Sequence, residues 1–115
     1  MIDELVELVR GGSSPHLVIG PVVWEAASGK RRWYFTIASA DGDEAHFDQV
    51  TSDDRELAEA ARASLFLRLV KTGPIVIHEC DDELEMARLC ETLWPSPKTR
   101  KIRLALEAER AAENR

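Results

Sequence analysis

The 115-residue chain has little of what marks several specialised protein classes. Its two cysteines, Cys80 and Cys90, do not form a CxxC pair, which excludes a disulfide-dense scaffold. No apolar run is long enough to span a bilayer, and the acidic start lacks the basic and then apolar pattern of a signal peptide. With 44% hydrophobic and 31% charged residues, the composition predicts one globular domain over residues 1–115, located in the cytoplasm.

Basic residues are outnumbered by acidic ones, 15 to 21, which gives a net charge of −6. This balance disfavours wholesale binding to nucleic acid or to an anionic membrane. The charge is also uneven, because residues 95–115 carry six bases and three acids whereas residues 1–94 carry nine bases and 18 acids. The sequence therefore predicts an acidic body followed by a basic C-terminal helix over residues 96–115.

Apolar periodicity predicts the element order α-β-β-β-α-β-α-α. A short amphipathic helix is followed by three strands with tight turns between them, which together form an antiparallel meander. Gly20-Pro21 interrupts the first strand, because proline cannot donate a hydrogen bond to a strand ladder. These first four elements are predicted at residues 2–10, 16–27, 32–39 and 44–50.

The second half of the chain is predicted to contain a helix, a strand and two further helices. Asp53 is the predicted cap of the first of these helices, Asp81 or Asp82 of the second and Ser96 of the third. The apolar run at residues 74–78 favours a buried strand, parallel to one of the earlier strands. The predicted class is therefore α+β, with this fourth strand added to the meander and helices packed on the sheet.

Two side chains of types that bind zinc lie near the end of the fourth strand. His78 and Cys80 are two residues apart, so they point to the same side of a strand, where Cys90 or His46 would supply further ligands. Strong zinc signatures contain two close pairs of ligands, and this chain has one such pair. The alternative is a buried strand end that carries a core thiol.

Three acids are placed where a metal-dependent nuclease carries carboxylates. Glu56 lies in the first turn of a predicted helix, Asp81 follows the fourth strand, and Glu25 lies in the first strand. In element order, residues 16–95 resemble ribonuclease H-like chains, in which metal-binding Glu and Asp occupy the positions of Glu56 and Asp81. The resemblance implies phosphodiester cleavage with two divalent ions. It departs at the first strand, where that family has Asp and this chain has only Glu25; the alternative is that Glu56 and Asp81 serve as helix caps.

The last two helices carry narrow apolar stripes that one small sheet does not fully cover. Trp94, Ile102 and Leu106 are the predicted interaction surface on these stripes. Because no strong catalytic or cofactor motif is present, the sequence favours a non-catalytic protein-interaction or regulatory module without a cofactor. The expected partner is another protein or a second copy in a homo-oligomer, rather than nucleic acid or membrane. The ribonuclease H-like nuclease is the alternative function.

Overall fold

The computed structural model describes residues 15–25, 31–41, 44–71 and 75–113. Their architecture is α+β, as predicted. The helix predicted at residues 2–10 lies outside the described residues. In chain order the elements are β1 (His16–Ile19), β2 (Val23–Glu25), β3 (Arg32–Asp41), β4 (Glu44–Ser52), α1 (Arg55–Val70), β5 (Val76–Glu79), α2 (Glu83–Leu93) and α3 (Pro97–Glu113).

The five strands form one mixed sheet. β4 pairs antiparallel with one edge of β3, while β1 and β2 pair antiparallel with its other edge. β5 is parallel to β1, with Ile77 opposite Leu17, as predicted for the fourth strand. The prediction of a buried, central strand was wrong, because β5 lies at the edge of the sheet among the described strands and its residues are exposed or only partly buried. The simple meander is corrected, because the strand predicted at residues 16–27 is two strands and the sheet order is β2-β3-β1-β5 with β4 on β3.

The break between β1 and β2 falls at Gly20-Pro21. The N–H of Gly20 still donates to the carbonyl of Thr36 at 2.8 Å, but the proline has no N–H with which to continue the ladder. A Cβ added to Gly20 would lie 2.6 Å from Sδ of Met86 on α2. The ladder is therefore interrupted where the Met86 side chain packs against the strand, and the absence of a side chain at Gly20 leaves space for that contact.

Helices cover both faces of the sheet. Alternation along β1 and β3 sends odd-numbered residues towards α1 and even-numbered residues towards α2. The side facing α1 is built mainly of large side chains, namely Leu17, Ile19, Phe35, Ile37 and Val50 with Leu65 and Leu69 of the helix. The side facing α2 is built on the smaller Val18, Ala38, Ala40, Ala45 and Cys80, against Met86, Cys90 and Trp94.

Acidic residues cap the first two helices. The carboxylate of Asp54 accepts a hydrogen bond from the N–H of Glu56 at 2.8 Å, so α1 is capped one residue later than the cap predicted at Asp53. Asp82, one of the two predicted caps, accepts from the N–H of Glu85 at 3.1 Å. These bonds satisfy N–H groups that have no partner within the helix.

A short connector joins α2 to α3. Ser96 caps α3 as predicted, by accepting from the N–H of Thr99 at 3.1 Å. The buried hydroxyl of Thr99 donates to the carbonyl of Trp94 at 2.9 Å and accepts from the N–H of Ser96 at 3.0 Å. These bonds fix the direction in which α3 leaves the end of α2, and α3 then packs chiefly on α2 rather than on the sheet.

Candidate functional site

A groove lies between the sheet and α3. Because α3 rests mainly on α2, a cavity of about 410 Å³ stays open above β3 and β4. Its walls are largely apolar and include Phe47, Met86, Ile102 and Leu106. A volume of this size falls within the range of sites that bind small molecules or side chains, roughly 300–1,000 Å³.

Sequence periodicity accounts for the residues that face the groove. Phe47 and Gln49 alternate along β4 with residues that face the α1 side, such as the buried Val50, and both line the groove. Ile102 and Leu106 are four residues apart on α3, which places them one above the other on the same side of the helix. The structure thus brings two of the three residues of the predicted interaction surface into one opening.

Trp94, the third residue of that predicted surface, lies instead in the core. It is 7% exposed and packs with Met86 and Cys90 between α2 and the sheet. The physical reason is its position at the C-cap of α2, where the chain turns towards α3 and the indole is directed inwards. Trp94 therefore stabilises the wall behind the groove and offers no surface to a partner.

One end of the groove is acidic. The hydroxyl of half-buried Tyr34 donates to the carboxylate of Glu83 at 3.0 Å, and Glu25 and Glu109 also lie near enough to act on the phenol. Burial, followed by the negative charge and the hydrogen bond of Glu83, raises the pKa of Tyr34 to about 12. Each of these influences disfavours the phenolate, so Tyr34 stays neutral at physiological pH.

A positive charge lies beside Phe47, one of the apolar residues of the groove wall. Nζ of Lys98 donates to the carbonyl of Ala45 at 2.8 Å and lies 5.5 Å from the ring centroid of Phe47. The ammonium group is therefore held by a backbone oxygen and by the face of an aromatic ring. The groove thus has apolar walls and an acidic end at Tyr34, and Lys98 adds a cation next to Phe47 without lining the groove itself.

Ion pairs hold α3 against α2. Arg103 of α3 pairs with Glu91 of α2, Arg88 of α2 pairs with Glu107 of α3 at 3.4 Å, and Arg110 pairs with Asp82 at the start of α2. By contrast, the groove-lining Glu83 and Glu109 form no ion pair with any other residue that the structure describes. The carboxylates of the helix–helix interface are thus neutralised, and those at the groove keep their charge.

The three acids of the nuclease hypothesis do not form a cluster. Glu25 accepts a 2.7 Å hydrogen bond from Arg32, whereas Glu56 and Asp81 are exposed near the start of α1 and the end of β5. All three acids belong to the described residues. In that part of the chain, no group of three or more His, Cys, Asp or Glu side chains could hold a metal ion. The structure therefore does not assemble Glu25, Glu56 and Asp81 into the carboxylate set that two-metal hydrolysis needs.

Arg62 bridges α1 to the ends of β1 and β5. Its Nε donates to the carbonyl of Gly20 at 2.8 Å, and its guanidinium lies 3.3 Å from the carboxylate of Glu79 and 3.5 Å from the carbonyl of Cys80. The side chain is only 16% exposed. The sequence analysis missed this residue, although a signal was present: Arg62 falls between Ala58 and Leu65 on the buried stripe of α1.

His78 has a partner that sequence spacing did not identify. Its Nε2 lies 3.1 Å from Nδ1 of His16, with the two ring centroids 5.3 Å apart. Cys80 is buried and lies near Cys90, and burial raises the pKa of Cys80 to about 11 and that of Cys90 to about 12. Because the thiolate is the metal ligand and the nucleophile, both cysteines are inert at neutral pH.

Two tryptophans form an aromatic pair on β2 and β3, at the end of the sheet where α1 begins. Trp24 is opposite Trp33 in the strand register, and their ring centroids are 5.2 Å apart. The guanidinium of Arg55 lies 5.2 Å from the centroid of Trp33. Trp24 keeps 44% of its surface exposed, so this pair presents aromatic surface to solvent.

None of the helices in the described part of the chain is long and apolar enough to cross a membrane. Comparison of the chain with protein-family models, with characterised proteins and with solved structures gives no match. Its function therefore has to be argued from the groove and from the charges around it.

Proposed function

We propose that this protein is a non-catalytic interaction module that binds an apolar segment of a partner protein in the groove between α3 and the β3–β4 face. The observation that carries the proposal is the open apolar lining supplied by Phe47, Met86, Ile102 and Leu106. Burial of one leucine-sized side chain contributes about 1.5–3 kcal/mol. Two such side chains in the groove, less the cost of ordering the segment, support weak and reversible binding.

The charge and the cysteines support a protein partner inside the cell. A chain of net charge −6, with Glu83 and Glu109 at its groove, repels the phosphates of nucleic acid. Cys80 and Cys90 are both free and buried, which is typical of proteins in a reducing compartment such as the cytoplasm.

The ribonuclease H-like nuclease is the alternative function, and Arg62 argues against it. Its half-buried guanidinium lies where α1 meets the carboxyl ends of β1 and β5, so it repels a divalent cation at the junction where the resemblance needs one. Our proposal predicts that an RNA–DNA hybrid is cleaved no faster by the wild type than by Glu56→Gln in Mg²⁺ or Mn²⁺. Metal-stimulated cleavage that Glu56→Gln abolishes would establish the nuclease instead.

A random peptide library tests the interaction function. The full-length protein is panned against phage that display 12-residue peptides, and an enriched peptide is synthesised and its affinity measured by fluorescence anisotropy. Because Leu106 lines the groove, we expect Leu106→Glu to weaken binding at least tenfold. Leu104→Glu is the matched control, since Leu104 is exposed on the same helix and does not line the groove.

Two outcomes decide the proposal. Peptides that bind wild type and Leu104→Glu equally but not Leu106→Glu support a groove-binding module. The proposal is contradicted if no peptide is enriched over a blank surface. It is also contradicted if both variants lose peptide binding equally while circular dichroism shows that both are folded. Light scattering on the same samples tests whether the partner is a second copy of the chain. A dimeric wild type and a monomeric Leu106→Glu variant would identify the second copy as the partner.

A further inference from the structure

We infer that the segment bound in the groove carries a lysine or arginine whose cationic head lies at the Tyr34 end, between Glu83 and Glu109. The inference rests on the proposed function and adds the chemistry of the partner to it. The groove is then a receptor for an apolar residue and a basic residue next to each other in one segment. Its two ends recognise the two parts of that segment.

The first argument is the contrast between acids that share the same helices. Glu91 and the helix cap Asp82 are ion-paired with arginines of α3, and Glu107 of α3 is ion-paired with Arg88 of α2, so these pairs hold the two helices together. Glu83 and Glu109 lie on the same two helices, but both face the groove and neither is ion-paired within the described part of the chain. Two carboxylates that share one opening repel each other, and a cation from outside the chain relieves that repulsion.

The second argument is the hydrogen-bonding character of this end. Tyr34 uses its only donor on Glu83, so the phenol offers its oxygen lone pairs to a ligand. The carboxylates of Glu83 and Glu109 are likewise acceptors, and the phenol keeps its proton because its pKa is raised to about 12. A site built from acceptors matches ammonium and guanidinium groups, which have donors only.

The third argument concerns the direction of the segment. Lys98 does not line the groove, but its ammonium group is held by the carbonyl of Ala45 beside Phe47, which does. A second cation next to Phe47 is repelled by Lys98, while an apolar side chain packs there on the Phe47 ring. The basic residue is therefore directed to the Tyr34 end, with its aliphatic stem along the apolar wall.

The closing experiment compares the sequences that different variants select from the 12-residue phage library. Wild type, Leu106→Glu, the double variant Glu83→Gln/Glu109→Gln and the control Glu85→Gln/Glu113→Gln are panned in parallel. The two double variants remove the same charge, but Glu85 and Glu113 are exposed and do not line the groove. We expect wild type and control to enrich Lys or Arg beside an apolar residue at least threefold over Leu106→Glu.

The double variant at the groove separates the two proposals. We expect Glu83→Gln/Glu109→Gln to keep the apolar preference and to lose the basic one. In one synthesised peptide, the basic residue is then replaced by methionine. We expect this replacement to weaken binding to the wild type about tenfold, and binding to Glu83→Gln/Glu109→Gln less than twofold. If peptides depend on the groove but show no preference for Lys or Arg, the inference about the basic residue is overturned and the proposed function stands. If no peptide depends on the groove, both the inference and the proposed function are overturned.

Discussion

On one face of the sheet, α1 lies directly on large side chains such as Leu17 and Phe35, and these contacts leave both residues fully buried. On the other face, the strands present Val18, Ala38 and Ala40, and the side chain of Met86 reaches Gly20 so closely that an added Cβ would lie 2.6 Å from its Sδ. On this face α2 leaves part of β3 and β4 uncovered. The next helix then packs on α2, and the uncovered strip becomes the groove.

The comparison teaches that side-chain size in the sheet decides where the molecule is closed and where it is open. Large residues fill the space under α1 and make that face a source of stability. Small residues lie under α2, and beside α3 part of β3 and β4 stays open as the groove. The following substitutions test this division, in order of decreasing effect on stability.

Leu65→Ala on the α1 face has the largest expected effect. Because Leu65 is fully buried against the sheet, its truncation leaves a cavity and lowers the free energy of unfolding by about 3–5 kcal/mol. Urea unfolding followed by tryptophan fluorescence measures this loss. Leu67→Ala on the same helix is the control, since a leucine that is 60% exposed contributes within about 0.5 kcal/mol. Equal losses in the two variants would mean that α1 does not pack as described.

Arg62→Met has the second-largest expected effect, about 1.5–3 kcal/mol. The substitution keeps the aliphatic stem but removes the charged donors to the carbonyls of Gly20 and Cys80. Arg55→Met is the control, because Arg55 is 63% exposed and its ion pair with Glu59 contributes little. Thermal and urea unfolding of both variants test whether Arg62 joins α1 to the strand ends; an Arg62→Met variant as stable as Arg55→Met would refute it.

Leu106→Ala in the groove is expected to lower stability by about 1 kcal/mol or less. Leu106 is half-buried beside a cavity that already exists, so truncation enlarges an opening instead of creating a void. The loss in free energy of unfolding is compared with that of Leu65→Ala, because both substitutions remove the same side-chain atoms. A loss as large as that of Leu65→Ala would show that the groove is closed in solution.

The titration of Tyr34 leaves the free energy of unfolding independent of pH near neutrality and lowers it in alkali. Its folded pKa is raised to about 12 from an ordinary value of 10.0, so the unfolded chain releases the proton first. Its contribution is fully present below pH 10 and is lost as the pH rises towards 12. Because Tyr34 is the only tyrosine, absorbance at 295 nm reports its titration alone. We expect Glu83→Gln to lower the midpoint, and an unchanged midpoint would contradict the acidic end of the groove.

Local rules predicted most of the elements. Alternation along the strands placed Phe35 and Ala38 on opposite faces, and the apolar run at residues 74–78 indicated a parallel strand. The cap of α1 was displaced by one residue, because Asp53 and Asp54 are adjacent and chemically equivalent caps. Periodicity and capping both depend on residues that are close to each other in the sequence. A single sequence is informative over this short range.

Long-range contacts set the rest of the site. His16 and His78 are 62 residues apart and Arg62 is 42 residues from Gly20, so no spacing rule connects them. Trp94 was assigned to a surface because the direction of α3 cannot be read from its own periodicity. That direction depends on the hydrogen bonds of Thr99 in the connector. The sequence therefore predicts only Ile102 and Leu106 of the groove, and it does not predict the acidic end at Tyr34 and Glu83.

The hydroxyl of Thr99 has a consequence for how selectivity can change. The hydrogen bonds of Thr99 with Trp94 and Ser96 set the direction in which α3 leaves α2, and none of these three residues lines the groove. Substitutions in the connector are therefore expected to alter the width of the opening while leaving its lining residues unchanged. In the interaction module that we propose, the size and the charge of the bound segment could then be selected separately.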